Sequence, residues 1–170
     1  MDYKRETKRI PLAGRGRLIV LATILLRSLA MAQEPAPIVP PPEKDPFVGV
    51  WRENPVKSKP KPRDRDATYV RTITRDGQDL VFDSSRGKSK PHVNHYRIRC
   101  DGTFHKVPFG LLSCKYITSN LVEGETRPKS GEVGYWTREV SADGQEMKIS
   151  EYKDPQKSTI TALYILDRVK

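Results

Sequence analysis

The sequence predicts an all-β chain, folded as a single up-and-down antiparallel β-barrel of about eight to ten strands. Short runs rich in β-branched and aromatic residues recur about every 8–12 residues and are separated by turn-forming residues. Asp-Gly pairs mark three of these turns, and both residue types tolerate the positive φ angles of tight hairpins. After residue 32, no segment shows the apolar stripe of an amphipathic helix. Closure of such a meander into a barrel removes its exposed strand edges.

The first 32 residues are predicted to be a cleaved signal peptide. A basic stretch precedes the apolar run Leu18 to Leu26, and the segment ends in Ala30-Met31-Ala32, the small-x-small pattern that signal peptidase cleaves. The apolar run is shorter than the roughly 20 residues that span a bilayer, and Arg27 interrupts it. We therefore expect an exported protein, periplasmic or secreted. An uncleaved anchor is the alternative.

The predicted leader contributes half of the formal net charge. Seven of the 31 basic residues and two of the 21 acidic residues lie within residues 1–32. The rest of the chain keeps 24 basic and 19 acidic residues, so loss of the leader lowers the formal net charge from +10 to +5. Such a mildly cationic surface favours weak contact with anionic membrane or envelope polymer, but it does not indicate specific recognition of nucleic acid.

A proline-rich spacer is predicted over residues 33–46, followed by the barrel domain over 47–170. The first strand is predicted at 47–51. The charged, proline-containing stretch 54–66 shows no periodic apolar face and is predicted to be a loop. The later predicted strands are 67–74, 80–83, 92–100, 112–118, 121–126, 133–140, 147–152 and 158–167, with turns at 75–78, 84–91, 101–102, 119–120 and 142–145.

Side-chain alternation assigns an inner face to several strands. In the strand 92–100, Arg97 and Arg99 prefer water, so the residues between and beside them are expected to point inward. The residues expected to face the interior are Leu80, Phe82, Tyr96, Ile98, Cys100, Leu112, Cys114, Tyr116, Ile160, Ala162, Tyr164 and Leu166.

The two cysteines, Cys100 and Cys114, both fall on inward sets of neighbouring predicted strands. An even number of cysteines in an exported chain favours a disulfide bond. Closing a loop of this size stabilises a fold by about 3 kcal/mol in the chain-entropy model. Two separate buried thiols are the alternative.

The start of the predicted domain carries a Gly-x-Trp motif, Gly49-Val50-Trp51. This opening resembles the first strand of lipocalins, and the residues that follow it are similar to small lipocalin-like domains of exported bacterial proteins. The resemblance covers most of residues 45–170. Its further matching residues are Asn54, Lys57-Ser58-Lys59, Thr137-Arg138 and the turn 141–145.

The resemblance implies a barrel that is closed at one end by Trp51. It also implies an arginine from a late strand packed across that indole, and Arg168 and Arg138 are both candidates. Independently of the family, a guanidinium stacked on a buried indole adds roughly 0.5–2 kcal/mol. The predicted domain is shorter than an ordinary lipocalin and shows no helix after the barrel, so a smaller interior is expected.

Aromatic residues on separate strands are the candidate ligand-binding residues. They would line a pocket for a small hydrophobic or amphipathic molecule, with arginine, asparagine or tyrosine hydroxyl groups fixing a polar head. The alternative is a filled barrel that serves as a structural or interaction module of the cell envelope, with a cationic loop at its surface. The candidate ligand-binding residues are Tyr69, Phe82, Asn94, Tyr96, Tyr116, Trp136, Arg138 and Tyr164, and the cationic loop contains Lys57, Lys59, Lys61, Arg63 and Arg65.

Catalytic and metal-binding signatures are absent from the sequence. His92 and His95 are three apart and would face opposite sides of a strand, so they do not form a metal site together. The sequence has no Gly-x-Ser-x-Gly motif and no glycine-rich phosphate loop. Glu123 and Glu125 share a strand face, as many surface carboxylates do. We therefore predict no enzymatic activity and no cofactor.

Overall fold

The computed structural model describes residues 40–60, 69–87 and 90–170, except for the side chains of residues 90–93. The predicted signal peptide and the first half of the predicted spacer, residues 33–39, lie outside these residues. Within the described part of the chain, no helix is long and apolar enough to cross a bilayer. The described strands are β1 (Gly49–Glu53), β2 (Tyr69–Asp76), β3 (Asp79–Arg86), β4 (Lys90–Arg99), β5 (Asp101–Val107), β6 (Gly110–Thr118), β7 (Leu121–Pro128), β8 (Gly134–Val140), β9 (Glu146–Tyr152) and β10 (Ile160–Arg168).

These strands form one antiparallel sheet with the order β4-β3-β2-β1-β10-β9-β8-β7-β6-β5. The two chain-terminal strands pair with each other, since Trp51 of β1 lies opposite Arg168 of β10. The two ends of the hydrogen-bonded order, β4 and β5, are consecutive in the chain and therefore lie side by side. The sheet is thus a nearly closed barrel. The predicted all-β, up-and-down architecture is confirmed.

Trp51 lies at one end of the barrel, which we call the closed end, and its side chain is fully buried. The guanidinium carbon of Arg168 lies 4.1 Å from the centre of the Trp51 ring, and the same guanidinium donates hydrogen bonds to three backbone carbonyls around it. A Cβ atom at Gly49, where φ is +146°, would lie 2.3 Å from Arg168 Nη1. The glycine of the Gly-x-Trp motif is therefore favoured by its positive φ, and its lack of a side chain leaves room for this guanidinium. The structure places Arg168, and not Arg138, across Trp51.

The half of the barrel next to Trp51 is a solid apolar core. Ile73, Val140 and Met147 have no exposed surface, and Leu80 and Ile98 are 2% exposed. Side chains of several strands fill this space, as they do in small barrels generally. The closed half therefore has no room for a ligand.

Asp45 also packs into the closed end, although the predicted spacer extends to residue 46. Its carboxylate accepts hydrogen bonds from the Arg75 guanidinium and the Tyr116 hydroxyl, and from the backbone N–H of Phe47 at 2.9 Å. Burial and the Asp45 carboxylate together raise the pKa of Tyr116 well above its usual range. The last residues before β1 are thus fastened to the barrel and are not extended spacer.

Strand β5 was not predicted, because Asp101-Gly102 was interpreted as a turn with no strand after it. Gly102 does adopt a positive φ, but it does so within β5, next to a register shift against β6. Most side chains of this strand are exposed or only partly buried. An edge strand of this kind lacks the apolar alternation from which strands are recognised.

The predicted turn at 84–91 is also wrong at both ends. β3 continues to Arg86 and β4 begins at Lys90. Ser84 is 1% exposed and faces the interior, where its hydroxyl accepts a hydrogen bond from Arg71 Nε at 3.3 Å. The last residues of this strand were not predicted because inward-facing Ser84 is polar, and strands were recognised by alternating apolar residues.

The inward sets are otherwise buried as predicted, apart from Tyr164, which is partly buried, and Ile160, which is 57% exposed. A register shift between β10 and β9 at Ile160 and Ala162 reverses the side on which Ile160 lies. Ile165, on the outer side of β10, is only 6% exposed. The turn that follows β1 covers it, and the Ser58 hydroxyl accepts a hydrogen bond from Ile165 N at 3.1 Å.

The predicted disulfide between Cys100 and Cys114 is confirmed. Cys100 follows the last residue of β4, and Cys114 lies in β6, so the bond spans β5. β4 and β5 are the two ends of the hydrogen-bonded order, and no hydrogen-bonded ladder joins them within the described strands. The disulfide therefore ties the barrel together where the sheet is left open.

Replacing both cysteines by serine (Cys100→Ser with Cys114→Ser) is expected to lower the free energy of unfolding by about 3 kcal/mol, because it frees a loop whose ends are 14 residues apart. Unfolding in guanidinium chloride, followed by fluorescence, measures this change. Each single variant should lose a similar amount, since either substitution removes the bond. An unchanged midpoint in the double variant would contradict the role assigned to the disulfide.

Candidate functional site

The half of the barrel away from Trp51, which we call the open half, contains a cavity of about 350 Å³. Small-molecule sites commonly have volumes of roughly 300–1,000 Å³. The cavity draws its walls from nearly every part of the sheet. It is lined by Glu53, Tyr69, Arg71, Arg86, Asn94, Tyr96, Phe109, Leu112, Thr126, Trp136, Arg138, Ile149, Glu151, Tyr164 and Leu166.

Arg138 projects from β8 into this cavity and is 8% exposed. Its guanidinium carbon lies 4.5 Å from the centre of the Trp136 ring and 4.8 Å from that of Phe82. One nitrogen, Nη2, donates to the Tyr96 hydroxyl at 3.3 Å, but the buried Nε has no hydrogen-bond partner among the described residues. Burial lowers the pKa of Arg138, since no carboxylate contacts the guanidinium to compensate its loss of water.

Arg71 brings a second guanidinium to the cavity from β2. It donates hydrogen bonds to the Tyr69 and Ser84 hydroxyls, and its guanidinium carbon lies 5.7 Å from the centre of the Phe82 ring. Neither Arg71 nor Arg138 forms an ion pair with any described residue. The cavity thus holds two cationic groups whose hydrogen-bond partners among the described residues are all uncharged.

Trp136 supplies a second unpartnered donor. Its side chain is 6% exposed, and its indole N–H is buried without an acceptor among the described residues. Gly124 on the neighbouring strand allows this position, because a Cβ atom there would lie 2.3 Å from the indole ring and 2.0 Å from the Ser113 carbonyl oxygen. Buried donors in proteins are nearly always paired, so two unpartnered donors in adjacent side chains indicate a site for an acceptor.

Two carboxyl groups share the cavity with the arginines. Burial raises the pKa of Glu53, against the opposing effects of the Arg86 charge and the Ser58 hydroxyl. Loss of water within the cavity also raises the pKa of Glu151, although the Arg138 and Arg71 charges act to lower it. Glu151 itself is exposed, so it lies where the cavity opens to solvent.

The electrostatic field of the arginines extends to the tyrosine between them. Burial acts to raise the pKa of Tyr96, but the positive charges of Arg138 and Arg71 outweigh it and lower this pKa. A group that bears negative charge is therefore favoured at this position in the cavity. Formally, three guanidiniums (Arg71, Arg86 and Arg138) face two carboxyl groups.

Of the eight predicted ligand-binding residues, six line this cavity: Tyr69, Asn94, Tyr96, Trp136, Arg138 and Tyr164. The other two do not. Phe82 is buried beneath the guanidiniums and stacks on Tyr96 with ring centres 4.8 Å apart. Tyr116 lies in the closed half, in the cluster with Asp45 and Arg75, because its strand continues past the open half.

Arg71, Glu53 and Glu151 were missed by sequence reasoning. Alternation could have found Arg71, which has the same parity as Tyr69 and Ile73 in β2. Charged residues were assumed to point to solvent, so the pattern was not applied to it. No comparable signal in the sequence marks the two glutamates.

The remaining candidate groups do not converge on the cavity. Lys57 forms an ion pair with Glu146 at 2.6 Å, and Glu123 pairs with Lys115 and Lys157. Lys61, Arg63 and Arg65 of the predicted cationic loop, and the His92 side chain, lie outside the described residues. In the described part of the chain, no three His, Cys, Asp or Glu side chains are grouped as a metal site requires.

No protein-family model and no curated protein matches this sequence. Many solved structures resemble the chain, among them two with 16% identity each. The REP1-NXSQ fatty acid transporter matches 72% of this chain and 96% of its own with a TM-score of 0.50. A Schistosoma mansoni fatty acid binding protein in complex with arachidonic acid matches 74% of this chain and 97% of its own with a TM-score of 0.52. The fold is that of the fatty-acid-binding-protein-like β-barrels.

At this level of identity the likeness concerns the fold alone. The β-barrel fold that the resemblance found in the sequence implies is confirmed, and kinship with the lipocalins stays a prediction. Membership of a group of exported bacterial proteins stays a prediction.

Replacing the unpaired buried charge, Arg138→Met, is expected to raise the free energy of unfolding by about 1–3 kcal/mol, because an apolar side chain of similar length needs no counter-charge. Chemical denaturation measures the change. Arg52→Met is the matched control, since Arg52 is exposed on β1, and it should alter stability by less than about 0.5 kcal/mol. A loss of stability in Arg138→Met would show that the guanidinium is adequately paired in the ligand-free protein.

Proposed function

We propose that this chain is a non-catalytic carrier that binds a small amphipathic molecule with a single negative charge in the open half of its barrel. The observation that carries the proposal is the pair of unpartnered buried donors, Arg138 Nε and Trp136 Nε1, in the cavity lining. A carboxylate placed between them accepts from both donors and neutralises the Arg138 charge. Hydrogen bonds between charged groups are about twice as strong as neutral ones.

The charge of the cavity supports a monoanionic ligand. Three guanidiniums and two carboxyl groups line it, which leaves a formal excess of one positive charge. An unpaired buried charge is costly, so a site of this kind gains free energy when a counter-charge enters. One carboxylate makes the lining neutral.

The apolar part of the ligand would rest on the remaining walls of the cavity. Phe109, Leu112, Ile149 and Leu166 contribute apolar surface from four strands or turns around the barrel. The structural neighbours, a fatty acid transporter and a fatty acid binding protein holding arachidonic acid, support the use of such a barrel interior for amphipathic acids. The alternative of a filled interaction module fits only the closed half of the barrel.

A direct test compares decanoate with decanol by isothermal titration calorimetry. We expect the acid to bind about tenfold to a hundredfold more tightly than the alcohol, since only the acid offers a charged acceptor. Arg138→Gln should remove this difference, and Arg52→Gln, on the exposed face of β1, should keep it. Equal affinities for acid and alcohol in the unaltered protein would contradict the proposed anion site.

We further propose that the protein acts outside the cytoplasm. The predicted signal peptide and the Cys100–Cys114 disulfide support this location, since disulfides persist in oxidising compartments. Expression of the full chain in a bacterial host, followed by mass spectrometry of the periplasmic and culture fractions, should find protein that begins at Gln33. Ala30→Asp with Ala32→Asp should block this processing. Recovery of only full-length chain from the cytoplasm would contradict export.

A further inference from the structure

The polar character of the cavity restricts what its ligand can be. Ten of the fifteen lining residues have polar or charged side chains, and these include three arginines and two glutamates. A long hydrocarbon chain placed against such walls would strip polar groups of water without offering hydrogen bonds in return. The lining therefore suits a ligand with polar groups at more than one position.

The size of the cavity restricts the ligand further. Its volume of about 350 Å³ lies at the lower end of the roughly 300–1,000 Å³ that small-molecule sites occupy. Below the cavity, Ile73, Val140 and Met147 have no exposed surface, so a chain cannot extend into the closed half. Only a compact molecule is enclosed completely.

The position of Glu151 indicates a second polar contact. Arg138 lies opposite Ile149 in the β8–β9 register, and Trp136 lies opposite Glu151. Glu151 is thus two residues farther toward the open end than the level of Arg138, a distance of roughly 7 Å along the strand. Its carboxyl group forms no ion pair with any described residue, and it lies where the cavity opens.

Resting on the proposed function, we propose that the ligand is a compact anion with a hydroxyl group about 7 Å from its carboxylate, and not a long-chain fatty acid. The carboxylate meets the Arg138 guanidinium, on which the Trp136 ring packs, two residues below the level of Glu151. The far polar group donates a hydrogen bond to Glu151 at the opening.

Calorimetric titrations with hexanoate, decanoate, palmitate and ω-hydroxyhexanoate test this proposal, with palmitate kept below its aggregation concentration. From hexanoate to decanoate, affinity should rise about fourfold for each methylene that becomes buried. From decanoate to palmitate, the total gain should be less than about threefold, because the added methylenes remain in water. ω-Hydroxyhexanoate, whose hydroxyl and carboxylate lie about 7 Å apart when it is extended, should bind about fivefold more tightly than hexanoate.

Variants separate the contact at Glu151 from general effects on the barrel. Glu151→Ala should abolish the preference for ω-hydroxyhexanoate over hexanoate, with both acids measured on the same variant because loss of this carboxylate also changes the charge of the cavity. The matched control is Glu132→Ala, in an exposed turn after β7, which should keep the preference intact.

Two results would overturn this inference without affecting the proposed function. One is a further gain of tenfold or more from decanoate to palmitate, which would mean that the barrel encloses a long chain. The other is equal binding of hexanoate and ω-hydroxyhexanoate. Failure of every acid to bind would instead contradict the proposed function itself.

Discussion

Two guanidinium groups that lie inside the barrel without a carboxylate partner, Arg71 and Arg138, determine how the open half is built. Charged side chains are rarely buried unpaired, because the loss of water costs several kcal/mol. Here the cost is moderated by aromatic faces and by tyrosine hydroxyls: Phe82 lies beneath both cations, and Tyr96 accepts from Arg138. The remaining deficit of negative charge gives the cavity its preference for an anion.

The rest of the barrel keeps this arrangement rigid. At the closed end, the Arg168 guanidinium covers Trp51 and fastens the residues before β1, so half of the interior is ordinary packed core. On the side where β4 and β5 lack a shared ladder, the Cys100–Cys114 bond joins β4 to β6. The polar cavity thus lies above an apolar core, in a barrel whose open side is joined by a covalent bond.

Sequence reasoning succeeded where one physical rule acted alone. Alternation placed Tyr96 inside because its neighbours Arg97 and Arg99 prefer water, and the same rule paired the inward cysteines. The prediction failed for Arg71. This residue follows the alternation of β2, but its cationic side chain lines the interior cavity, whereas cationic side chains were expected to face solvent. The exposed edge strand β5 gave no apolar pattern at all. Functional sites are where such rules conflict, so their residues are the hardest to predict.

The two tryptophans provide the most direct measurement, because one lies at each end of the barrel. The Trp51 indole N–H donates to the Phe47 carbonyl at 2.8 Å, whereas the Trp136 indole N–H has no partner among the described residues. In ¹⁵N-labelled protein titrated with decanoate, the Trp136 indole resonance should move downfield as its proton acquires a charged acceptor, and the Trp51 resonance should stay in place. A Trp136 resonance that is unchanged at saturation would contradict an anion bound at the unpaired guanidinium.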